Sequence, residues 1–450
     1  MAKHSQRQLC GSLDHLVGRR GFLGASSAAA AAFATGFTGL GALHTPVLGQ
    51  ELQKRRKRVL MIFLNGGASQ FETWDPKPGA PTGGPFVTIP TSIPGYHVCE
   101  LMPKLAKRVH KMTVIRSAHI RNANHHDLPL YGNKPKNGVI QRPSIGSILS
   151  RELADPDSPL PRHVFFSDYL GANFTELPGF LGPAWGPVNI LPGKIPAKPP
   201  FVPPRSELRL APEGNALPES LSDADHRDRG GLRDALSDTF AIGRQRDSTL
   251  SSYEGAFSRV RGLMDSARLF DIEKEPQKIR DRYGPTPFGQ HALIARRLIE
   301  AGVPYVRVNR GWWDHHGQNF EFHAEMVPEF DHVFSVLLDD LEERGLLEDT
   351  LVVTMSEMGR TPHVNANQGR DHFHLLTTTL TGCGVKQGMI YGSTDATGET
   401  IAEDEVLTQN FFATIFKAVG IDHQKEYHSA DGRPVPLTDY GTEAVDAVLA

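Results

Sequence analysis

A mainly parallel α/β sheet with helices on both faces is the fold class this sequence predicts, and three observations predict it. Short runs rich in apolar residues recur along the chain. Helical patterns of 3.6-residue period lie between several of them. The runs end in glycine or in polar residues rather than fading into longer apolar segments.

Taken in order, Val59–Leu64 is continuously apolar and stops at Asn65-Gly66-Gly67, the profile of a strand buried on both faces that closes in a glycine turn. Comparable strands are expected at Met112–Ile115, His163–Phe166, Tyr305–Asn309, Leu351–Met355 and Leu375–Leu380. Between them, Phe288–Ala301 sets Ala292, Ala295, Leu298 and Ile299 on one side of a helix. Phe330, Val333, Phe334, Leu337, Leu338 and Leu341 keep the same period up to Gly345. Two stretches interrupt the rhythm. Pro178–Pro218 is dense in proline and glycine and reads as an irregular excursion, and Ser222–Lys278 is charged and helical in pattern, as an inserted hairpin or cap would be. Residues 178–280 are therefore expected to be an insertion within one domain over residues 50–450, because the runs on either side look like members of one sheet.

The first 49 residues have a different character. Gly18-Arg19-Arg20-Gly21-Phe22-Leu23-Gly24 precedes an alanine-rich apolar run from Ala25 to Leu43. A basic head before a moderately apolar segment is an export signal, and adjacent arginines point to the twin-arginine translocase as the partner during export. The competing reading is a membrane anchor, but Gly36, Gly39 and Gly41 make the run a poor permanent span. The expected location is thus exported, in the periplasm or cell envelope.

At 450 residues, with 39% hydrophobic and 22% charged residues, the chain has the makings of a folded core and is not disordered. The net charge is −3. Removing residues 1–49 takes away Lys3, Arg7, Arg19 and Arg20 against Asp14, a net +3, so the remainder sits near −6. With no aromatic-laced basic patch, a nucleic-acid partner is excluded. Past the leader, Cys99 and Cys383 are compatible with a disulfide or with two buried thiols.

In open α/β sheets ligands bind beyond the carboxyl ends of the strands. Three expected strand ends carry unusual polar residues: Asn65-Gly66-Gly67-Ala68-Ser69, Trp312-Trp313-Asp314-His315-His316-Gly317, and Glu357-Met358-Gly359-Arg360 with the following Gly369-Arg370-Asp371-His372-Phe373-His374. Carboxylates mixed with imidazoles suit Zn²⁺, Mn²⁺ or Fe, and carboxylates with carbonyls suit Ca²⁺ or Mg²⁺. Asp314 with His316, and Asp371 with His372 or His374, are the candidate ligands. Arg360 and Arg370 are planar cations suited to phosphate or sulfate oxygens. His125 and His126, after another strand, are ligands or a polar loop cluster, and Ser117 and Ser69 are candidate hydroxyl nucleophiles. Each has a structural counterpart: an Asp–His pair is an ordinary polar contact, Arg360 is also a partner for a buried Glu357, and serines near turns cap backbone groups.

The strings FLNGGASQFETWDPKP, WWDHHGQNF, LLDDLEERGLLEDTLVVTMSEMGRTP and GRDHFH resemble the bacterial exported family called domain of unknown function 1501, which is similar to the alkaline phosphatase and sulfatase superfamily. The resemblance runs from about Val59 to the C-terminus. It implies an alkaline-phosphatase-like fold and a divalent metal, Zn, Mn or Ca. The superfamily pattern falls on Asn65 at the first strand end, on Asp314 and His316, on Glu357, and on Asp371 with His372 or His374. Asn65 is neutral where that pattern has a charged ligand, and Met358 stands where it has a histidine, so one metal, or a changed ligand set, is expected rather than a complete two-metal site. No formylglycine-type Cys or Ser motif is present. The resulting expectation is a metal-dependent hydrolase of phosphate or sulfate esters, with Arg360, His125 and Ser117 in catalytic roles and a small-molecule or polysaccharide substrate. The alternative is a periplasmic binding or scaffold protein that keeps the fold without catalysis.

Overall fold

Arg58–Leu64 forms β1, and every one of its seven residues is buried. Leu60, Ile62 and Leu64 face one hydrophobic core, while Val59, Met61 and Phe63 face another. Alternate side chains of a strand point to opposite faces, so a continuous apolar run is what a strand covered on both sides requires. Burial of each such side chain contributes roughly 1.5–3 kcal/mol. The structure is a computed structural model that describes residues 56–125, 140–168, 176–192, 209–212, 220–241, 261–264, 266–429 and 431–450. The expected export signal, His126 and much of the 178–280 stretch lie outside the described residues.

The other strands of the nine-stranded sheet are β2 (Met112–His119), β3 (His163–Ser167), β4 (Val188–Ile190), β5 (Tyr305–Arg310), β6 (Thr350–Met355), β7 (Leu375–Gly382), β8 (Met389–Tyr391) and β9 (Val406–Leu407). Their order is β8-β2-β7-β6-β1-β5-β3-β4, with β9 also paired to β2. All pairings are parallel except those of β7 with β2 and β6. The exception has a simple cause. A parallel return is usually carried by a helix crossing over the sheet, whereas residues 356–374 between β6 and β7 contain the hairpin Gly359–Arg360 with His372–Phe373 and no helix.

Helix Pro287–Ala301 starts and stops where its ends are chemically marked. The Thr286 hydroxyl accepts from the Gly289 amide, proline occupies the first turn, and Gly302 ends the helix at φ +106°. This helix and helix Asn319–Glu343 fill one face of the sheet, and helices Ile145–Leu153 and Thr408–Ala418 fill the other. The helix expected around Phe330–Leu341 begins earlier than its apolar stripe, at Asn319, and carries Pro328 inside it. Within the stretch expected as an excursion, Val188–Ile190 joins the sheet beside β3, and helix Asp223–Ala241 lies in the charged part.

Residues Arg56–Ala450 make one compact unit. Cys99 and Cys383 are separate buried thiols, pushed up by burial to about 12 and about 11 respectively. Among the described residues no helix is long and apolar enough to cross a membrane.

Candidate metal centre

β1, β5 and β6 are adjacent and parallel, so their carboxyl ends open onto the same rim. At the end of β1, Gly66 takes φ +116°, and a Cβ there would stand 2.6 Å from the Asp314 amide nitrogen. Only glycine lets the two loops approach so closely. Beyond β5, Trp312 adopts φ +70°, a costly conformation for an aromatic residue, and its neighbour Trp313 is fully buried against Phe330 and His323.

The loop after β5 is tied to the segment before β7 by backbone bonds. Arg370 N donates to His315 O at 3.1 Å, Gln318 N to Asn367 O at 3.2 Å and Asn319 N to Gln368 O at 2.9 Å. This stitching brings Asp314 and His316 beside Asp371 and His372, more than fifty positions later in the chain.

Three imidazoles converge on the Asp314 carboxylate. Oδ1 lies 3.0 Å from His316 Nε2 and 3.1 Å from His372 Nε2, and Oδ2 lies 3.5 Å from His125 Nε2. The His316 and His372 Nε2 atoms are themselves 3.1 Å apart. Donor atoms of His125, Asp314 and His372 all fall within 4.8 Å of one another. Behind the rings stand two more carboxylates. Glu357 Oε1 is 2.9 Å from His125 Nδ1, and Asp371 Oδ1 is 2.6 Å from His316 Nδ1. Glu357 is fully buried and also accepts from the Gly66 amide at 2.7 Å.

The charges respond to this arrangement. Burial works against a charged His125, but its bonds to Asp314 and Glu357 outweigh that and raise it to about 9. Burial likewise opposes ionisation of Asp314, yet the hydrogen bonds from His125, His372 and Arg360 hold its carboxyl well below the usual range. Asp371 is lowered by its bond with His316.

These residues fit a divalent cation. A carboxylate behind an imidazole fixes the proton on Nδ1 and leaves the Nε2 lone pair free to ligate. Two Nε2 atoms in contact, with a third nearby and a carboxylate between them, repel unless a proton or a cation lies among them. Three nitrogens and one carboxylate suit Zn²⁺ or Mn²⁺, whereas Ca²⁺ takes six to eight oxygen ligands.

The expected residues do not all share this place. Asp314, His316 and His372 do, and so does His125, which the sequence reading assigned to catalysis. Glu357 and Asp371 touch the far nitrogens of two rings rather than the convergence point. His374 instead packs its ring 5.0 Å from that of His119, whose Nδ1 is 2.6 Å from Glu405. Asn65 is buried at the end of β1, and its Nδ2 has no hydrogen-bond partner among the described residues. Ser117 is buried and donates its hydroxyl to Asp404 O, and Ser69 is buried with its hydroxyl accepting from Phe71 N.

Both arginines expected to hold an anion are committed elsewhere. The fully buried Arg360 donates to Gly67 O at 2.7 Å, Arg370 O at 3.0 Å, Gly66 O, and Asp314 Oδ1 at 2.6 Å, so it positions Asp314. Arg370, also fully buried, donates to the Glu72 carboxylate, to Thr82 O at 2.7 Å, to Thr361 O at 3.0 Å and to Pro362 O. The sequence reading missed Asn365, whose amide donates to His316 O at 3.1 Å and Asp371 Oδ1 at 3.2 Å. Nothing in its neighbourhood marks it out.

Fold and site together define an α/β protein whose parallel strand ends gather a histidine-rich cluster of metal-ligating type. The chain belongs to the family described as "Protein of unknown function (DUF1501)", which matches residues 56–449. No curated protein matches it significantly. Among solved structures it is similar to the PsFucS1 sulfatase from Pseudoalteromonas sp., at 12% identity over 83% of this chain and 69% of that one, with a TM-score of 0.37. It is also similar to an alkaline phosphatase superfamily protein from Vibrio parahaemolyticus, at 12% identity over 82% and 67% of the two chains, with a TM-score of 0.37. A third is the phosphonate monoester hydrolase SpPMH from Silicibacter pomeroyi, at 11% identity over 87% and 76%, with a TM-score of 0.33.

Proposed function

We propose that this chain is an exported metal-dependent hydrolase of phosphate or sulfate esters, small-molecule or polysaccharide, carried out of the cytoplasm by the twin-arginine translocase. The observation that carries the reading is the meeting of three imidazole Nε2 atoms on one carboxylate at the rim of the sheet. His125, His316, His372 and Asp314 would hold a Zn²⁺ or Mn²⁺ ion. Such an ion, when bound, polarises an ester oxygen and makes water a stronger acid.

The chain's own residues do the rest. Glu357 and the Gly66 amide set the ring of His125, and Arg360 holds Asp314 in place from below. Because the Ser117 and Ser69 hydroxyls are buried and engaged, the attacking group is water rather than a side-chain oxygen. His316 and Asp314 are the exposed members of the set, so substrate reaches the cluster from their side.

The test is ester cleavage by the purified chain, with Zn²⁺ or Mn²⁺ supplied, against Asp314→Ala and His372→Ala. Loss of cleavage in both variants is expected, and full activity in both refutes the reading. The commitment of Arg360 and Arg370 to backbone and carboxylate partners favours a second reading, a binding protein without turnover. It predicts bound metal but no cleavage across a broad ester panel. For export, replacing Arg19 and Arg20 by lysine should leave the precursor in the cytoplasm; undiminished export would remove the twin-arginine assignment.

A further inference from the structure

We infer that Glu357 and Asp371 are not metal ligands but positioning carboxylates, which act through His125 and His316 to aim two Nε2 atoms at a single ion. The inference rests on the metal-binding part of the proposed function and deepens it, since it assigns separate tasks to acidic residues that the sequence pattern groups together as ligands.

The geometry separates the two tasks. Asp314 faces Nε2 of all three rings, at 3.0, 3.1 and 3.5 Å. Glu357 and Asp371 face only Nδ1, at 2.9 Å on His125 and 2.6 Å on His316. An ion among the Nε2 atoms therefore has an imidazole ring between itself and each of these carboxylates.

Each carboxylate is in turn fixed by neighbours. Glu357 Oε1 accepts from the Gly66 amide at 2.7 Å, and Ser356 Oγ lies 3.4 Å from Oε2. Asp371 Oδ1 accepts from Asn365 Nδ2 at 3.2 Å, and the same amide reaches His316 O at 3.1 Å. Asn365 thus holds both the ring's backbone and the ring's anchor. Among the described residues no carboxylate stands on the other nitrogen of His372, so two rings of three are held in this way.

The two anchors differ in setting. The Glu357 side chain has 0% exposure and is bound to the glycine turn of β1, while that of Asp371 is 52% exposed. A change at Glu357 disturbs the turn as well as His125, so Asp371 is the clean place for a test.

The experiment uses the full chain exported and purified without chelator, stripped of metal and titrated with Co²⁺ in competition with a chelator of known affinity. Asp371→Ala should keep a stoichiometry of one and the Co²⁺ absorption bands of the wild type, with affinity lowered roughly tenfold to a hundredfold. Asp371→Asn, which keeps an oxygen for Nδ1–H, should recover most of that loss. Imidazole ¹⁵N spectra of metal-free protein should show His316 protonated on Nδ1 in the wild type and redistributed in Asp371→Ala. His372→Ala should instead change the bands or abolish stoichiometric binding. Shifted Co²⁺ bands or lost stoichiometry in Asp371→Ala would make Asp371 a ligand, and unchanged affinity would leave it without a role; either overturns the inference. A wild-type chain that takes up no Co²⁺ overturns the metal-binding reading beneath it, a separate outcome.

Discussion

Arg370→Met removes a fully buried cation from the fold. In the wild type its guanidinium donates to Glu72 Oε1 through Nε at 3.1 Å and Nη2 at 2.9 Å, reaches the carbonyls of Thr82, Thr361 and Pro362, and lies 4.5 Å from the Phe71 ring. Neither partner is exposed, with side-chain values of 0% for Arg370 and 1% for Glu72. Methionine fills much of the stem but leaves Glu72 as a buried carboxylate without its cation and three carbonyls without a donor. Breaking a buried pair in this way costs about 3–5 kcal/mol. Against a total of roughly 5–15 kcal/mol for a folded domain, that is a large fraction. Equilibrium urea unfolding followed by tryptophan fluorescence measures it, and the double variant Glu72→Gln with Arg370→Met should recover part of the loss, because the stranded charge is gone. An Arg370→Met chain within about 1 kcal/mol of wild type, the range of ordinary surface changes, would refute the structural assignment and return the guanidinium to the anion-binding role its position in the sequence suggests.

Gly66→Ala forces a Cβ to within 2.6 Å of the Asp314 amide at φ +116°; about 1–3 kcal/mol of destabilisation and weakened metal uptake are expected, and a variant with wild-type unfolding and metal content would show that the turn yields freely. His125, raised to about 9 against an ordinary value near 6.5, gives the metal-free chain stability that is fully present below about pH 6.5 and is lost as pH rises through about 9. Denaturation midpoints between those limits should fall in the wild type and stay flat in His125→Gln. Metal competes with that same proton, so affinity should tighten with rising pH over this window; a flat profile would contradict it. Asp314, lowered by its cationic and hydrogen-bonding neighbours, acts in the opposite sense, with stability present above about pH 4 and lost in acid.

The sheet was legible because six of its strands are short runs rich in apolar residues, most plainly the wholly apolar Val59–Leu64, whose burial on both faces such a run requires. The antiparallel direction of Leu375–Gly382 was not, since such a run carries no sign of direction; the connection from β6 holds a hairpin and no crossover helix. Val188–Ile190 went unseen because three residues among prolines and glycines have no period to read. At the site, strand ends pointed to Asp314, His316 and His372. What spacing could not supply was which way a side chain turns. His374 is two positions beyond His372 and faces His119, and Arg360 and Arg370 look like anion holders until their donors are followed to buried acceptors. His125 comes from a loop remote in sequence, and only the folded chain sets it against Glu357 and Asp314.

Elemental analysis of the intact chain, purified without chelator from its exporting host, bears most directly on the metal centre. About one Zn or Mn per chain is predicted, falling to near zero in Asp314→Ala while that variant remains folded. A folded wild-type chain that carries no transition metal, and takes up none when it is supplied, would contradict the account.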